Sequence, residues 1–352
     1  MFDHLKYLSS FFLPGCVLWF LYTGPHSAIL ALVWTIPLWA LIVLDWFSPK
    51  VNINKKKQLV SAGFYDAVLY ALAILQFLII GLLLHYASQL QWSSVTEISR
   101  SIVNLAVLRI LIGTTSGSSA LIVAHELIHR SQRHKQILGK MLLYTVCYEH
   151  FVIAHLQRHH LSVATPEDIA TAKLDENFSS YWQRVIVGHF KYAWDFELKR
   201  LCLEHTPVYH YQMLANSVFR GVIIEVTLVV LILIVFGWAA AFIFLYQALA
   251  GVRLLESINY YQHWGLEEGR ADQMLAWVNQ SSLSEYALVG LTNHVGHHQQ
   301  AHCSFYEIPY SDQGPIMPYG YFVTNLWVKL NNASYRRVSA GILKNYLHQA
   351  RI

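Results

Sequence analysis

Charge is what this chain of 352 residues has little of: Asp, Glu, Lys and Arg together make 13% of it, about half the share of an ordinary soluble domain. With 55% hydrophobic and 14% aromatic residues and a mean hydropathy of +0.35, that scarcity excludes a disordered chain, a nucleic-acid-binding arm and a charged coiled coil. It points to lipid as the solvent for much of the length. Cysteine is scarce as well. Cys16, Cys147, Cys202 and Cys303 are scattered with no C-x-x-C pair, which excludes a zinc ribbon or a rubredoxin-type iron site and reads as free thiols in a reduced compartment. A cleavable leader is not expected, because only Lys6 precedes the first apolar run and a second follows almost at once. The net charge of +4 identifies no partner.

What is present falls into spans. Tyr7 to Leu44 holds no Asp, Glu, Lys or Arg and is interrupted only at Thr23-Gly24-Pro25-His26, which predicts a helical hairpin over about 8–23 and 27–47. Further spans are expected at about 64–86 and 101–124, and the run Phe219 to Ala250, broken at Phe236-Gly237-Trp238, reads as a second hairpin, about 217–236 and 238–258. Lys50, Lys55, Lys56 and Lys57 lie between spans two and three, whereas Ala87 to Ile98 has neither Lys nor Arg. The bias puts the first loop, and with it both ends of the four-span unit, in the cytoplasm. Residues 125–216 and 260–352 hold most of the charge and nearly all the histidine, and so form a polar cap on that side.

Histidine is the surplus: 19 residues, 15 of them between His125 and His302. His125-Glu-Leu-Ile-His129 closes span four, with two imidazoles one helical turn apart on one face. His155-Leu-Gln-Arg-His159-His160 and His294-Val-Gly-His297-His298 follow, with a lone His263 between them. The first group alone matches a zinc-protease signature with Glu126 as general base, and a single such group is as readily a polar patch. Three clusters at helical spacing on one side are a different matter. A hydrolytic zinc needs three protein ligands, so the excess argues for two metals. The clusters meet only if the chain between them crosses the bilayer an even number of times, which gives six spans.

At these residues the chain resembles the integral-membrane alkane hydroxylases of the membrane fatty acid desaturase and hydroxylase superfamily. The similarity lies in His125-Glu-Leu-Ile-His129-Arg130, in His150-Phe-Val-Ile-Ala-His155-Leu-Gln-Arg-His159-His160 with the Val163-Ala-Thr-Pro-Glu-Asp168 tail, in Asn259-Tyr-Tyr-Gln-His263-Trp-Gly265, in Leu291-Thr-Asn-His294-Val-Gly-His297-His298 and in Met317-Pro-Tyr-Gly-Tyr321. The resemblance implies an all-α protein of six transmembrane helices with a cytoplasmic helical cap, one domain over 1–352, in a bacterial inner membrane. It implies two irons held by His125, His129, His155, His159, His160, His263, His294, His297 and His298, with no catalytic residue beyond these ligands. It also implies O2, a lipid-soluble alkyl substrate hydroxylated at its terminal carbon, and electrons from rubredoxin or a similar soluble carrier with its reductase. The chain departs from the pattern at Gln157-Arg158, Gln262 and Gly296, where the family carries a basic residue and glycine, Glu, and an acidic residue.

Glu126, Glu167, Asp168 and Asn259 are the candidates to orient metal-bound imidazoles from behind, whereas His134, His150 and His302 are expected outside the ligand set. The aromatic residues Trp19, Phe20, Trp34, Trp39 and Trp46 either line an apolar slot for the substrate or face lipid. Arg109 stands alone in span four, where charge is costly; burial beside Asp45 or Asp66 would be its structural role. Three other readings stay open at this point: a fatty acyl desaturase or lipid hydroxylase on the same iron cluster, a membrane zinc hydrolase, and a histidine-rich metal transporter or sensor.

Overall fold

Where water is absent, a backbone must satisfy its own hydrogen bonds, so long apolar runs close into helices. The computed structural model describes residues 3–51, 60–266 and 274–349. Among these residues are six helices long and apolar enough to cross a membrane: α1 (Asp3–Thr23), α2 (Ala28–Trp46), α3 (Ala62–Ser88), α4 (Val95–Ile128), and, after α5 (Arg133–Tyr144) and α6 (Phe178–Leu201), α7 (Ser217–Phe236) and α8 (Trp238–His263). The cap adds α9 (Ser282–Ala287), α10 (His294–Gln299), α11 (Tyr321–Leu330) and α12 (Asn332–Gln349). Among the described residues there is no strand, only isolated bridges between Lys50 and Ser281 and between Val278 and Ile316. The all-α, six-span expectation is met. Lys55, Lys56 and Lys57, on which the placement of the first loop rests, lie outside the described residues.

Two spans begin earlier than the hydrophobic runs suggest. α1 starts as a 3₁₀ turn over Asp3–Phe11. α4 starts at a capping box, in which the Ser94 hydroxyl accepts from the Glu97 amide (3.3 Å) and the Glu97 carboxylate accepts from the Ser94 amide (3.2 Å). Such a cap nucleates a helix in polar sequence, so the helix precedes its apolar part. α2 is kinked at Trp34 and Thr35, just before Pro37, whose ring nitrogen cannot bond the carbonyl four residues back. The outer surface suits lipid: on α7, Ile234 is 73% and Val235 67% exposed, an arrangement that water would not tolerate over a whole helix.

Small and polar residues hold the bundle together. A Cβ on Gly113 would lie 2.7 Å from the Ala250 Cβ, and one on Gly117 would lie 2.2 Å from Leu254 Cδ2, so α4 and α8 approach as closely as their backbones permit. Beside this seam, Gln76 of α3 accepts from Ser119 (2.8 Å), and Ser116 donates to Gln247 of α8 (2.8 Å). Gln247 in turn donates to the Thr145 carbonyl (2.7 Å). These bonds flank a π-helical stretch over Ser116–Leu121 within α4, and the extra residue in that turn sets the angle at which His125 leaves the bundle.

Asp45, at the end of α2, ties the spans to the cap. Its carboxylate accepts from the Ser281 (2.5 Å) and Ser284 (2.7 Å) hydroxyls and from the Phe322 (3.0 Å) and Val323 (3.2 Å) amides that open α11. It is therefore committed to the cap and is not a partner for Arg109. Asp66 pairs instead with Lys135 (2.7 Å), so neither expected counterion of Arg109 serves it. Gly320 is packed on Asp45 so closely that a Cβ would fall 2.0 Å from Oδ1. Asp45→Ala would leave two hydroxyls and the first turn of α11 without acceptors, a loss of about 2–3 kcal/mol. Thermal unfolding of the detergent-purified protein should show a lower midpoint; an unchanged midpoint would mean that the carboxylate does not join cap to spans.

Candidate metal centre

The histidines ride on short helical pieces at the cap ends of the spans. His125 lies in the last turns of α4 and His129 one residue beyond its end. His155, His159 and His160 sit in the short helical segment 151–162, which is π-wound over His155–His159. His263 is the last residue of α8, and α10 carries the remaining three. The winding decides which imidazoles meet. In a π turn, residues five apart come one above the other, so His155 and His160 share a site while His159 points to the other.

Two groups result. The ligand atoms of His125, His129, His155, His160 and His297 lie within 4.8 Å of one another, and so do those of His159, His263, His294 and His298. α10 serves both, His297 facing the first group and His294 and His298 the second. Nε2 of His155 is 3.0 Å from that of His129 and 2.9 Å from that of His160, which is 3.2 Å from that of His297. Nε2 of His294 is 3.0 Å from those of both His263 and His298.

Those spacings test whether the residues fit a metal. A proton can serve only one such N···N contact at a time, whereas a cation serves them all. Nitrogens about 2.1 Å from a common ion and at right angles are separated by about 3.0 Å, which matches the contacts. Nε2 of His125 and of His159 are buried with no partner among the described residues, as ligand atoms awaiting a cation would be. The donor set fits.

Electrostatics prepares these rings. Burial, reinforced by neighbouring imidazoles, pushes His155, His160, His294, His297 and His298 down from the ordinary histidine range; burial and the nearby His159 and Arg130 push His129 down to about 4. Neutral imidazole is the form that binds metal. Behind the rings, His159 Nδ1 meets Asp168 Oδ2 at 2.9 Å, and His263 Nδ1 donates to the Leu275 carbonyl at 2.9 Å. Each contact keeps a proton on Nδ1 and turns Nε2 inward. Burial disfavours the Asp168 carboxylate, yet the adjacent His159 and the Thr171 hydroxyl (2.7 Å) outweigh it and hold its pKa below the usual range.

The other expected supports behave differently. Glu167 is exposed; its carboxylate is held by the Thr165 hydroxyl and its backbone carbonyl accepts from Arg158 (2.8 Å), so neither group meets an imidazole. Glu126 is paired with Arg130 (2.6 Å) and accepts from the Phe305 amide (3.1 Å). It clamps the end of α4 to the cap, and the committed carboxylate argues against a hydrolase base. Asn259 donates to Glu256 (3.1 Å), which also accepts from Tyr148 (2.9 Å) and Tyr181 (3.2 Å); Tyr148 contacts His189 Nδ1 at 3.0 Å. Glu256, Tyr148, Tyr181 and His189 were missed. A carboxylate inside an apolar span was the available signal for Glu256; nothing local marked the other three.

His134, His150 and His302 lie outside both groups. The departures from the family pattern have local reasons. At Gly296 a Cβ would meet Ile308, Asn293 and the Pro309 carbonyl within 2.9 Å, so no acidic side chain fits. Gln262 donates to the Tyr321 hydroxyl (2.8 Å), and Arg158 lies over the Tyr192 ring at 5.4 Å. Beside His125 and His297 is a pocket of about 10 Å³, also bounded by Ile122 and Phe305, with room for no more than a water-sized molecule. A cavity of about 570 Å³ opens between α2, α4, α8 and α11, and no histidine of either group lines it. Of the five aromatics considered for a slot, only Trp39 lines this cavity.

The chain matches the family model for fatty acid desaturases over residues 100–318, which takes in every histidine of both groups. It is 32% identical to an alkane 1-monooxygenase of Pseudomonas aeruginosa over 244 residues, 65% of this chain and 63% of that one. It is 29% identical to the alkane 1-monooxygenase of Acinetobacter baylyi over 240 residues, 63% of this chain and 58% of that one. It is 27% identical to the xylene/toluene monooxygenase hydroxylase component of Pseudomonas putida over 284 residues, 79% and 73% of the two chains. The alignments thus span about three fifths of the alkane 1-monooxygenases that the chain matches. On the histidine motifs, the six apolar helices and the family match, this chain is an integral membrane protein that belongs to the fatty acid desaturase family and resembles its alkane hydroxylase branch.

Proposed function

We propose that the protein is a single-domain, non-haem di-iron monooxygenase that hydroxylates an alkyl chain, at the terminal carbon of an alkane. It would use O2 and electrons from rubredoxin or a similar soluble carrier with its reductase. The observation that carries this reading is the division of nine buried or half-buried histidines into neighbouring groups of five and four at the cap ends of apolar spans. One iron would be held by His125, His129, His155, His160 and His297, the other by His159, His263, His294 and His298. Bound there, the irons would supply the reduction of O2 and the oxidation of an unactivated C–H bond, chemistry that no side chain provides. On this reading both termini and the metal site would lie on the cytoplasmic side of a bacterial inner membrane, where a soluble electron carrier has access.

The chain's own residues hold and shield. Asp168 and the Leu275 carbonyl fix two imidazole tautomers, and Glu126 seats the Phe305 segment over His125. The close packing leaves little water beside the ligands, so the rings stay neutral. Ligands gathered at helix ends rather than along a path through the spans weigh against a transporter. Desaturation by the same cluster remains the rival within the family.

Purified protein supplied with an alkane, a fatty acid and an acyl thioester under 18O-labelled O2 and an electron donor system should yield a labelled alcohol and contain iron. An unlabelled alkene would overturn hydroxylation, and zinc without iron would overturn the reading altogether. His159→Ala should abolish turnover and lower iron content; full turnover would remove that residue from the site. Asp168→Asn keeps the shape but weakens the hold on the His159 proton, and iron affinity should fall roughly 10–100-fold, measured by competition with a chelator. Unaltered affinity would reduce Asp168 to a turn residue.

A further inference from the structure

The cavity of about 570 Å³ between α2, α4, α8 and α11 is lined by three cations, Arg109, Arg253 and Lys329. Among the described residues, none that line it is acidic. The rest of the wall is largely apolar, including Leu38, Trp39 and Ile42. Arg109 lies about 24 Å along α4 from His125, and Arg253 about 15 Å along α8 from His263, at 1.5 Å per residue. The cavity is therefore set back from the metal centre toward the membrane. A lone arginine at such depth would snorkel to the nearest water, but here cations from three different helices face one cavity.

Their neighbours steady the side chains without neutralising them. The Arg109 guanidinium lies over the Tyr246 ring at 5.7 Å, and that of Arg253 over the Phe178 ring at 5.5 Å. Asn325 accepts from Ser257 through its carbonyl oxygen (2.6 Å), which leaves its NH2 as a further donor on the lining. All three cations are exposed at the outside of the bundle, and like charges gathered where that outside meets lipid are costly unless an anion joins them.

We propose that this cavity binds the anionic head group, phosphate or carboxylate, of an amphiphile whose alkyl chain lies along the apolar wall toward the bilayer. Trp39 is 46% exposed and Val43, one turn on, is 55% exposed, so the wall continues onto the outer face of α2, where such a chain would run. A neutral hydrocarbon would leave the three charges unmatched, and a small soluble anion would leave the apolar wall uncovered.

The test uses the full iron-loaded chain in neutral detergent, with dodecanoate and dodecanol as paired probes in a thermal-shift titration. Dodecanoate should bind at least about tenfold more tightly, because charge-assisted hydrogen bonds of this kind are each worth about a factor of ten. In the R109Q/R253Q/K329Q protein, with wild-type iron content, that preference should vanish, while R109K should retain it. A second arm extracts the protein from vesicles of equal phosphatidylglycerol and phosphatidylcholine and identifies retained lipid by native mass spectrometry. Retained phosphatidylglycerol with no preference for dodecanoate assigns the head group to a phospholipid; the reverse assigns it to a fatty carboxylate. Equal treatment of charged and neutral probes in both arms by the wild-type protein overturns the proposal, and so does a preference that survives in the triple variant. Should the triple variant not fold, R253Q alone decides on the same criterion.

Discussion

The structure depends on one constraint: nine imidazole rings are packed with their ligand nitrogens within 4.8 Å in each of two groups. Hydrogen bonding among the rings cannot satisfy so many like atoms at once, since each neutral imidazole has one proton to give. Either the groups surround cations or they are a standing cost, and the rest of the chain is arranged as though they surround cations. The π turns at Ser116–Leu121 and His155–His159 re-aim the helices that carry the rings. Asp168 and the Leu275 carbonyl hold the Nδ1 protons, and Glu126 and Asp45 bind the cap to the span ends.

A division of labour follows between bundle and cap. The spans meet lipid with apolar side chains and meet each other through small residues and amide networks, which leaves few charged groups at depth. Those few are informative. Glu256 is enclosed by two tyrosines and Asn259 behind the histidines, whereas Arg109 faces an open cavity that no carboxylate among the described residues lines. The first has become part of the scaffold around the metal centre, and the second is placed to meet something from outside.

Much of this was legible in the amino-acid order because hydrophobicity along a membrane chain is a nearly one-dimensional signal. Six runs gave six helices, with ends displaced only where local polar chemistry took over, as at the Ser94 and Glu97 capping box. The histidines were equally visible, since imidazoles at helical spacing are rare without a shared purpose. The supporting residues read from the sequence lie in different surroundings. Asp168 stands behind His159, but Glu167, its neighbour in sequence, turns to solvent. Asp45 and Asp66, offered as partners of Arg109, bond elsewhere because the cap and Lys135 reach them first.

What the sequence by itself determined is the kind of molecule: the spans, the polar cap and a surplus of metal-ligating rings at one side of a bilayer. Only the tertiary structure decided how those rings divide. His159 and His160 are adjacent in the chain yet belong to different groups, and α10 splits its three histidines between both. That assignment depends on the local winding of short segments and on which helix ends they are pressed against. Both follow from contacts between residues more than 100 positions apart, such as Glu126 with Phe305, and no local pattern encodes contacts at that range.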